Sequence, residues 1–336
     1  MADGQTLGPG IFEAGLLAAL DSPQLVKFPA GYHEAYWFYG YDEHHSIGYY
    51  FYLVADTASD TLRHEQTYIF LADGSILADH GSGHGTTDGV ARGDKLEFVC
   101  RQPFHRWQIR YDGILTQIPA QQRLSGVEGG PQRVAVCGDL HFTADTAAWN
   151  TEGNWGEPPP ALRYHQLGRG LGTLTVDGRA IDIDSYCFRS HSRRQREMAG
   201  WAGHTLANAM FADGSAFGIF RMRGSEQRPE RGRGFVIADG RLLDADVLHC
   251  PMLDTPSADG EHFTIELCGE FGKVTIHGEI LTEVFLSQTP DERRYGVDYK
   301  AVAGMLLSDG FARFRWDNRE TIGVFERSTL LGTLGE

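Results

Sequence analysis

Short apolar runs broken by Asp-Gly pairs set the rhythm of this chain. Asp-Gly recurs at 73–74, 88–89, 112–113, 177–178, 213–214, 239–240, 259–260 and 309–310. Between apolar runs this pair marks a hairpin, because glycine accepts positive φ and aspartate tolerates it. Around the pairs the residues alternate or are aromatic and β-branched, as in TYIFLADGSIL, RWQIRYDGIL, GTLTVDGRAIDID, AMFADGSAFGIF and GKVTIHGEIL. The pattern predicts an all-β, antiparallel fold with short loops. Helical spacing appears in IFEAGLLAALDS (11–22), which predicts a short N-terminal helix, and weakly in PDERRYGVD (290–298).

Three consecutive prolines, Pro158 to Pro160, favour an extended linker. The flanks carry related pieces: IFLADGSIL resembles MFADGSAFG, and RWQIRYDGIL resembles FGKVTIHGEIL. This reads as a weak duplication, with domains at 1–157 and 158–336. The competing reading is that any two Asp-Gly hairpins look alike. Closing each unit into a barrel or curved sandwich removes sheet edges, and a barrel of about eight strands can hold one small ligand. A side-by-side pair would add a cleft between the two.

Composition narrows the function classes. The net charge of -15 argues against nucleic-acid or anionic-membrane partners. No apolar leader and no run of about 18 apolar residues is present, so the expectation is a cytoplasmic protein without an integral membrane segment. Cys100, Cys137, Cys187, Cys250 and Cys268 form no CxxC pair, which fits reduced thiols. The chain has no Walker loop, no GxGxxG after a strand, no GxSxG elbow and no HExxH. GSGHGTTDG (81–89) reads as a loop. His33, Asp42, His44 and His45 lack the spacing of a metal site, so no metal is expected.

Two constellations remain. GYHEAYWFYGYDEHHSIGYYFYL (31–53) is crowded with aromatics. Strand alternation sends Glu34, Tyr36 and Phe38 to one face and Ala35, Trp37 and Tyr39 to the other. So many tyrosines suggest a cavity wall, because buried phenol hydroxyls want partners; a barrel core with tyrosines at its rim is the bland alternative. Glu34 is read either as a buried acid with a raised pKa or as the structural partner of an arginine. DSYCFRSHSRRQRE (184–197) reverses the local charge of an acidic chain. Tyr186, Phe188, Ser190 and Ser192 share one face, and Cys187, Arg189 and His191 the other. Arg189 and His191 are assigned inward as a fixed cation beside a titratable group, and Arg193, Arg194 and Arg196 outward to water. WAGHTLANAMF adds Trp201 and His204.

These stretches resemble the carotenoid 1,2-hydratase (hydroxyneurosporene synthase) and AttH-like superfamily of two lipocalin-like β domains. The matching pieces are HEAYWFYGYDEHHSIGYYFYLV, PFHRWQIRYDGIL, YHQLGRGLGTLTVDGRAIDIDSYCFRSHSRRQRE and SDGFARFRWDNRETIGVFERS, in order over about residues 31 to 328. The resemblance implies two lipocalin-like units with a pocket at or between them, and chemistry on hydrophobic molecules. Relatives hydrate isoprenoid double bonds, close chromanol rings or fold polyenes for cycloaddition, without a nucleotide or redox cofactor. The family pattern Arg-Asp-His-Ser-Trp-Gly appears here as Arg189-Ser190-His191-Ser192-Arg193-Arg194. Arg and His remain; the Asp is lost, and Glu34, Asp42 and Asp184 are the candidates to replace it.

The expectation is a cofactor-independent hydratase, dehydratase or cyclase for a hydrophobic unsaturated small molecule. His191, Arg189, Glu34 and Asp42 are its catalytic candidates. Trp37, Tyr39, Tyr50, Tyr52, Tyr186, Phe188, Trp201 and His204 are its substrate-binding candidates, the aromatic π faces stabilising developing positive charge. A non-catalytic carrier of an apolar ligand and a Diels–Alderase-type pericyclase are the alternatives. A homodimer is left open as a partner state.

Overall fold

Alternation of apolar and polar side chains is expressed as strand along most of the chain. The computed structural model describes residues 10–12, 21, 23, 32–56, 62–84, 90–126, 131–152, 162–195, 200–257 and 260–334. The first sheet contains β1 (Gly10–Phe12), β2 (Tyr32–Asp42), β3 (Ile47–Asp56), β4 (Leu62–Phe70), β5 (Ile76–His84), β6 (Ala91–Arg92), β7 (Leu96–Gln102), β8 (Arg106–Ile118), β9 (Arg133–Ala144), β10 (Ala148–Glu152), β11 (Leu162–Val176) and β12 (Arg179–Gln195). Because β9 pairs with both β8 and β11, the strands β2, β3, β4, β5, β8, β9, β11 and β12 close into a ring. The second sheet contains β13 (Gly203–Met210), β14 (Ala216–Met222), β15 (Arg231–Ala238), β16 (Arg241–His249), β17 (His262–Gly269), β18 (Gly272–Gln288), β19 (Arg293–Tyr295), β20 (Met305–Trp316) and β21 (Arg319–Leu330). Here the β17–β18 pairing returns the sheet on itself. The all-β, antiparallel expectation is met.

Four Asp-Gly pairs are hairpin turns. Gly74, Gly178, Gly214 and Gly240 all take positive φ, between 71° and 82°. The turns at 73–74 and 213–214, singled out above as similar, share one hydrogen-bond pattern: Asp73 accepts from the Ser75 amide and hydroxyl, and Asp213 from those of Ser215. Asp112-Gly113 and Asp309-Gly310 instead lie inside β8 and β20. At Gly310 a Cβ would meet the Thr282 carbonyl oxygen at 2.1 Å, so close strand approach explains that glycine.

The helical expectations fare less well. Residues 10–12 are extended and pair with β10, Asp21 is helical, and the rest of 11–22 lies outside the described residues, apart from those named. Arg293–Tyr295, where a second helix was read, pairs as a strand with the end of β18. That contact overrides a weak local propensity. No helix among the described residues is long and apolar enough to cross a membrane.

Contacts group the chain into two units, Met1–Ile69 with Leu77–Thr116 and Arg133–Glu197, and Phe70–Ile76 with Gln117–Gln132 and Met198–Glu336. Pro158 to Pro160 lie outside the described residues. The strands that follow them, β11 and β12, pair with β9, β10 and β2, so the first unit continues past the proline run. In the second unit Phe217, Ile265, Leu267, Ile276, Phe314 and Phe325 share one apolar core.

In the first unit, side chains meet across the ring. Phe38 on β2 lies 5.9 Å from Trp107 on β8 and 5.7 Å from Phe142 on β9, ring centre to ring centre. Neither strand neighbours β2 in the ring, so the contacts run through its interior. Glu34, Tyr36 and Phe38 share that face by alternation.

Candidate functional site

The ladder registers bring the site together. Tyr164 on β11 pairs with His191 on β12, which pairs with Tyr36 on β2. One row to one side, Arg193 pairs with Glu34; one row to the other, Gln166 pairs with Arg189 and Arg189 with Phe38. Alternate residues of each strand therefore project into the ring beside one another. Asp21, which belongs to no strand, supplies a further carboxylate. Asp21, Tyr164, Arg189 and His191 are fully buried.

Two carboxylates bracket the imidazole. His191 Nε2 lies 3.0 Å from Glu34 Oε1. That oxygen also accepts from the Tyr36 hydroxyl at 2.8 Å and from Arg193 Nε at 3.1 Å. On the other side, His191 Nδ1 lies 3.2 Å from the Tyr164 hydroxyl and 3.8 Å from Asp21 Oδ1. Tyr164 also bonds to Asp21 Oδ1, as does Arg189 Nη2. Asp21 Oδ2 accepts from the Phe104 amide and from Trp107 Nε1, the latter at 3.1 Å. The Tyr36 ring stacks on the imidazole, 4.4 Å between centres and 13° from parallel.

Arg189 is fixed from several directions. Its Nη2 donates to the Tyr164 hydroxyl at 2.7 Å and its Nη1 to Gln166 Oε1 at 3.0 Å. Its guanidinium lies 4.4 Å over the Trp107 ring, a cation–π contact. Gln166 is anchored in turn by donating to the carbonyls of Phe104 and Thr146. Phe104 carries a left-handed φ of 59°, a costly conformation for a bulky residue. Its amide bonds Asp21 and its carbonyl Gln166, so the site and this turn hold each other.

These surroundings set the proton inventory. Burial alone would raise Glu34, but the hydrogen bond from His191 and the Arg193 charge outweigh it and hold the carboxyl at about 2. Asp21 is likewise held below its ordinary value despite burial, chiefly by the charge of Arg189. Burial lowers His191 in spite of the Glu34 bond, so its imidazole is neutral at pH 7. Burial pushes Tyr164 well above the ordinary phenol value, which keeps its hydroxyl proton in place.

Several expectations need correction. Of the two readings of Glu34, the arginine partner is the one present: its carboxyl is held low and pairs with Arg193, and the raised-pKa acid is not found there. Arg193 is buried and pairs with Glu34 instead of facing water, because β12 runs on to Gln195 and alternation carries Arg193 inward with Arg189 and His191. Arg196 lies outside the described residues. Asp42 stands apart from His191; it accepts from the amides of His45 and Asp184 and closes a turn. Asp184 is exposed and pairs with Arg169. Among the described residues no three metal-capable side chains converge.

The substrate-binding candidates divide. Trp37, Tyr39, Tyr50 and Tyr52 share the opposite face of β2 and β3: Trp37 Nε1 donates to the Tyr50 hydroxyl at 3.0 Å and Tyr39 meets Tyr50 edge-on. Tyr186 and Phe188 lie on that same face of β12, with Phe188 packed on His165. Trp201 and His204 belong to the second unit. There His204 Nε2 lies 2.7 Å from Glu326 Oε1, and Ser328 bonds its Nδ1. Glu326 pairs across the ladder with Asp309, which is buried. Burial and the adjoining charge of Glu326 hold the Asp309 carboxyl well above its ordinary value, so it keeps its proton.

Sequence reasoning missed Asp21, Tyr164, Gln166 and Trp107. The clue for Tyr164 was available: YHQLGRGLGTLTV alternates, so Tyr164 and Gln166 share a face. Asp21 gave no such signal.

Comparison with known proteins comes to the same architecture. The profile described as Domain of unknown function (DUF7064) matches residues 24–330. The chain belongs to this family. No curated protein matches this chain. In structure, it is similar to an AttH-like protein (NE1406) from Nitrosomonas europaea, with a TM-score of 0.59 and 14% identity, covering 90% of this chain and 92% of the other. It is similar to CghA in complex with Sch210972, with a TM-score of 0.57 and 10% identity over 89% and 87% of the two chains. It is also similar to kievitone hydratase from Nectria haematococca, with a TM-score of 0.52 and 12% identity over 98% and 96%. At these identities the likeness shows a shared fold.

Proposed function

We propose that this chain is a cofactor-independent catalyst that adds water to, removes water from, or cyclises a hydrophobic unsaturated small molecule. One observation carries the reading: a neutral, buried imidazole is held between the Glu34 carboxylate and the Tyr164 hydroxyl. The fold shared with kievitone hydratase and CghA supports it.

The geometry suits proton transfer. A carboxylate only accepts, so His191 Nε2 carries the hydrogen toward Glu34 and Nδ1 presents its lone pair to Tyr164. The single hydroxyl hydrogen of Tyr164 then has two acceptors, Asp21 Oδ1 and His191 Nδ1. A proton arriving on Nδ1 makes an imidazolium bonded to Glu34, near Asp21 and stacked on Tyr36, so the cation is stabilised where it forms. In a hydration, one alkene carbon gains a proton, the other bonds the water oxygen, and the proton released by water returns to the relay. Arg189 acts as a positioning residue through Asp21, Tyr164 and Gln166.

A second reading places the proton donor in the second unit. Asp309 is a buried carboxyl that keeps its proton, with Glu326 and His204 beyond it, and it fits the role of acid that Glu34 does not. Binding without conversion is a third reading, favoured by the way Arg189 and Arg193 already neutralise Asp21 and Glu34.

Turnover separates these readings. Wild type and His191→Gln are incubated with unsaturated terpenoids and product is followed by mass spectrometry. Loss of product in the variant supports the first unit, retention with loss in Asp309→Asn supports the second, and tight binding without product supports a carrier.

A further inference from the structure

Asn150 extends the row of side chains that contains His191. On β10 it pairs with Tyr164, which pairs with His191, which pairs with Tyr36. Directly opposed residues of an antiparallel ladder project to the same side of the sheet. Asn150 therefore faces the same interior as Tyr164 and His191.

Its condition differs from theirs. Asn150 is fully buried, yet neither its Nδ2 nor its Oδ1 has a hydrogen-bond partner. Leaving a buried polar group unsatisfied costs about 1–3 kcal/mol, and an amide leaves two. Such groups are few in native proteins, and each one needs a reason. The ladder also shifts register between Asn150 and Glu152, and irregularities of this kind re-aim side chains beside functional sites. An amide presents donors and an acceptor together. A carboxylate meets only its donors and a hydrocarbon meets neither, whereas a hydroxyl both donates and accepts.

We infer that Asn150 contacts the ligand of this site and that the group it binds is a hydroxyl, which makes the ligand an unsaturated alcohol. The inference rests on the reading of the ring interior as the reaction site and deepens it. Under that reading the hydroxyl is the oxygen that leaves on dehydration or arrives on hydration.

The test compares wild type with Asn150→Leu, which keeps the shape and removes the amide, and with Asn150→Ser. Thermal unfolding is measured without ligand. Affinities are then measured for linalool, an unsaturated tertiary alcohol, and for myrcene, the hydrocarbon left when linalool loses water. Asn150→Leu is expected to unfold at or above the wild-type temperature, because an unsatisfied amide is gone. It should bind linalool about tenfold more weakly, the worth of one to two hydrogen bonds, with myrcene affinity unchanged. Asn150→Ser should recover part of the linalool affinity. Clear destabilisation by both substitutions would overturn the inference, since the amide would then be structural. Equal losses for both probes, or a wild type that prefers linalool no more than myrcene, would overturn it too. Absence of turnover on either compound bears on the hydration reading and leaves this comparison intact.

Discussion

Glu34 and His191 stand 157 positions apart in sequence and share a hydrogen bond of 3.0 Å inside the first ring. The same carboxylate oxygen pairs with Arg193 and accepts from Tyr36. Glu34 thus binds three side chains at once, and its charge cannot be removed in isolation.

The first prediction concerns that coupling. Glu34→Gln leaves Arg193 buried without a counter-charge, which typically costs about 3–5 kcal/mol. Replacing the pair together, as Glu34→Gln with Arg193→Met, should recover most of that loss. Urea unfolding of the three proteins checks it. A single variant as stable as wild type would show that Arg193 finds water or another anion.

The second concerns pH. Burial holds His191 below its ordinary value near 6.5, so the folded protein keeps the ring neutral where the unfolded chain protonates it. Stability from this residue is complete above about pH 6.5 and is lost as pH falls through the folded value. His191→Gln removes that sensitivity. The stability advantage of wild type over the variant should therefore shrink between about pH 7.5 and 5.5, by at most about 1.4 kcal/mol per pH unit. Glu34 works further down: its contribution is present above its ordinary value of 4.5 and fades toward about 2.

The third concerns Tyr164. Tyr164→Phe keeps the ring contacts to Phe104 and Arg189 and deletes the hydroxyl that joins Asp21 to His191. Turnover should drop by about 10² or more if the relay carries the proton. Near-native kcat in a folded variant would remove Tyr164 from the chemistry.

The fourth separates positioning from packing at Arg189. Lysine offers one ammonium where the guanidinium reaches Asp21, Tyr164 and Gln166 together and lies on Trp107. Because Arg189 pairs with a fully buried carboxylate, Arg189→Lys should lower the unfolding midpoint as well as the rate. A rate loss with unchanged stability would mean that Arg189 meets the substrate directly.

Much of this architecture is written in local pattern. Alternation along residues 32–42 places Glu34 with Tyr36 and Phe38, and alternation along β12 places Arg189 with His191; both hold. Asp-Gly at 73–74 and 213–214 marks real turns. The cluster of arginines misled because a charge run usually faces water, whereas β12 carries Arg193 inward to a carboxylate 159 positions away. The aromatic stretch divides as its alternation says: Trp37 and Tyr39 lie on the face of β2 opposite Tyr36, away from His191. Asp21 was illegible. Its stretch reads as an amphipathic helix, and nothing local says that its carboxylate meets Arg189 after 168 positions of chain.

The most direct measurement of the central claim, that the His191–Tyr164 relay moves a proton during water addition or removal, is single-turnover conversion of myrcene, linalool and a panel of longer unsaturated terpenoids in 18O-labelled water. Wild type is predicted to give 18O-labelled alcohol from at least one of these compounds, and His191→Gln and Tyr164→Phe to slow that labelling by about 10² while remaining folded. Labelling by both variants at the wild-type rate would contradict the account, as would wild-type binding of these ligands with no label incorporated and no other product formed.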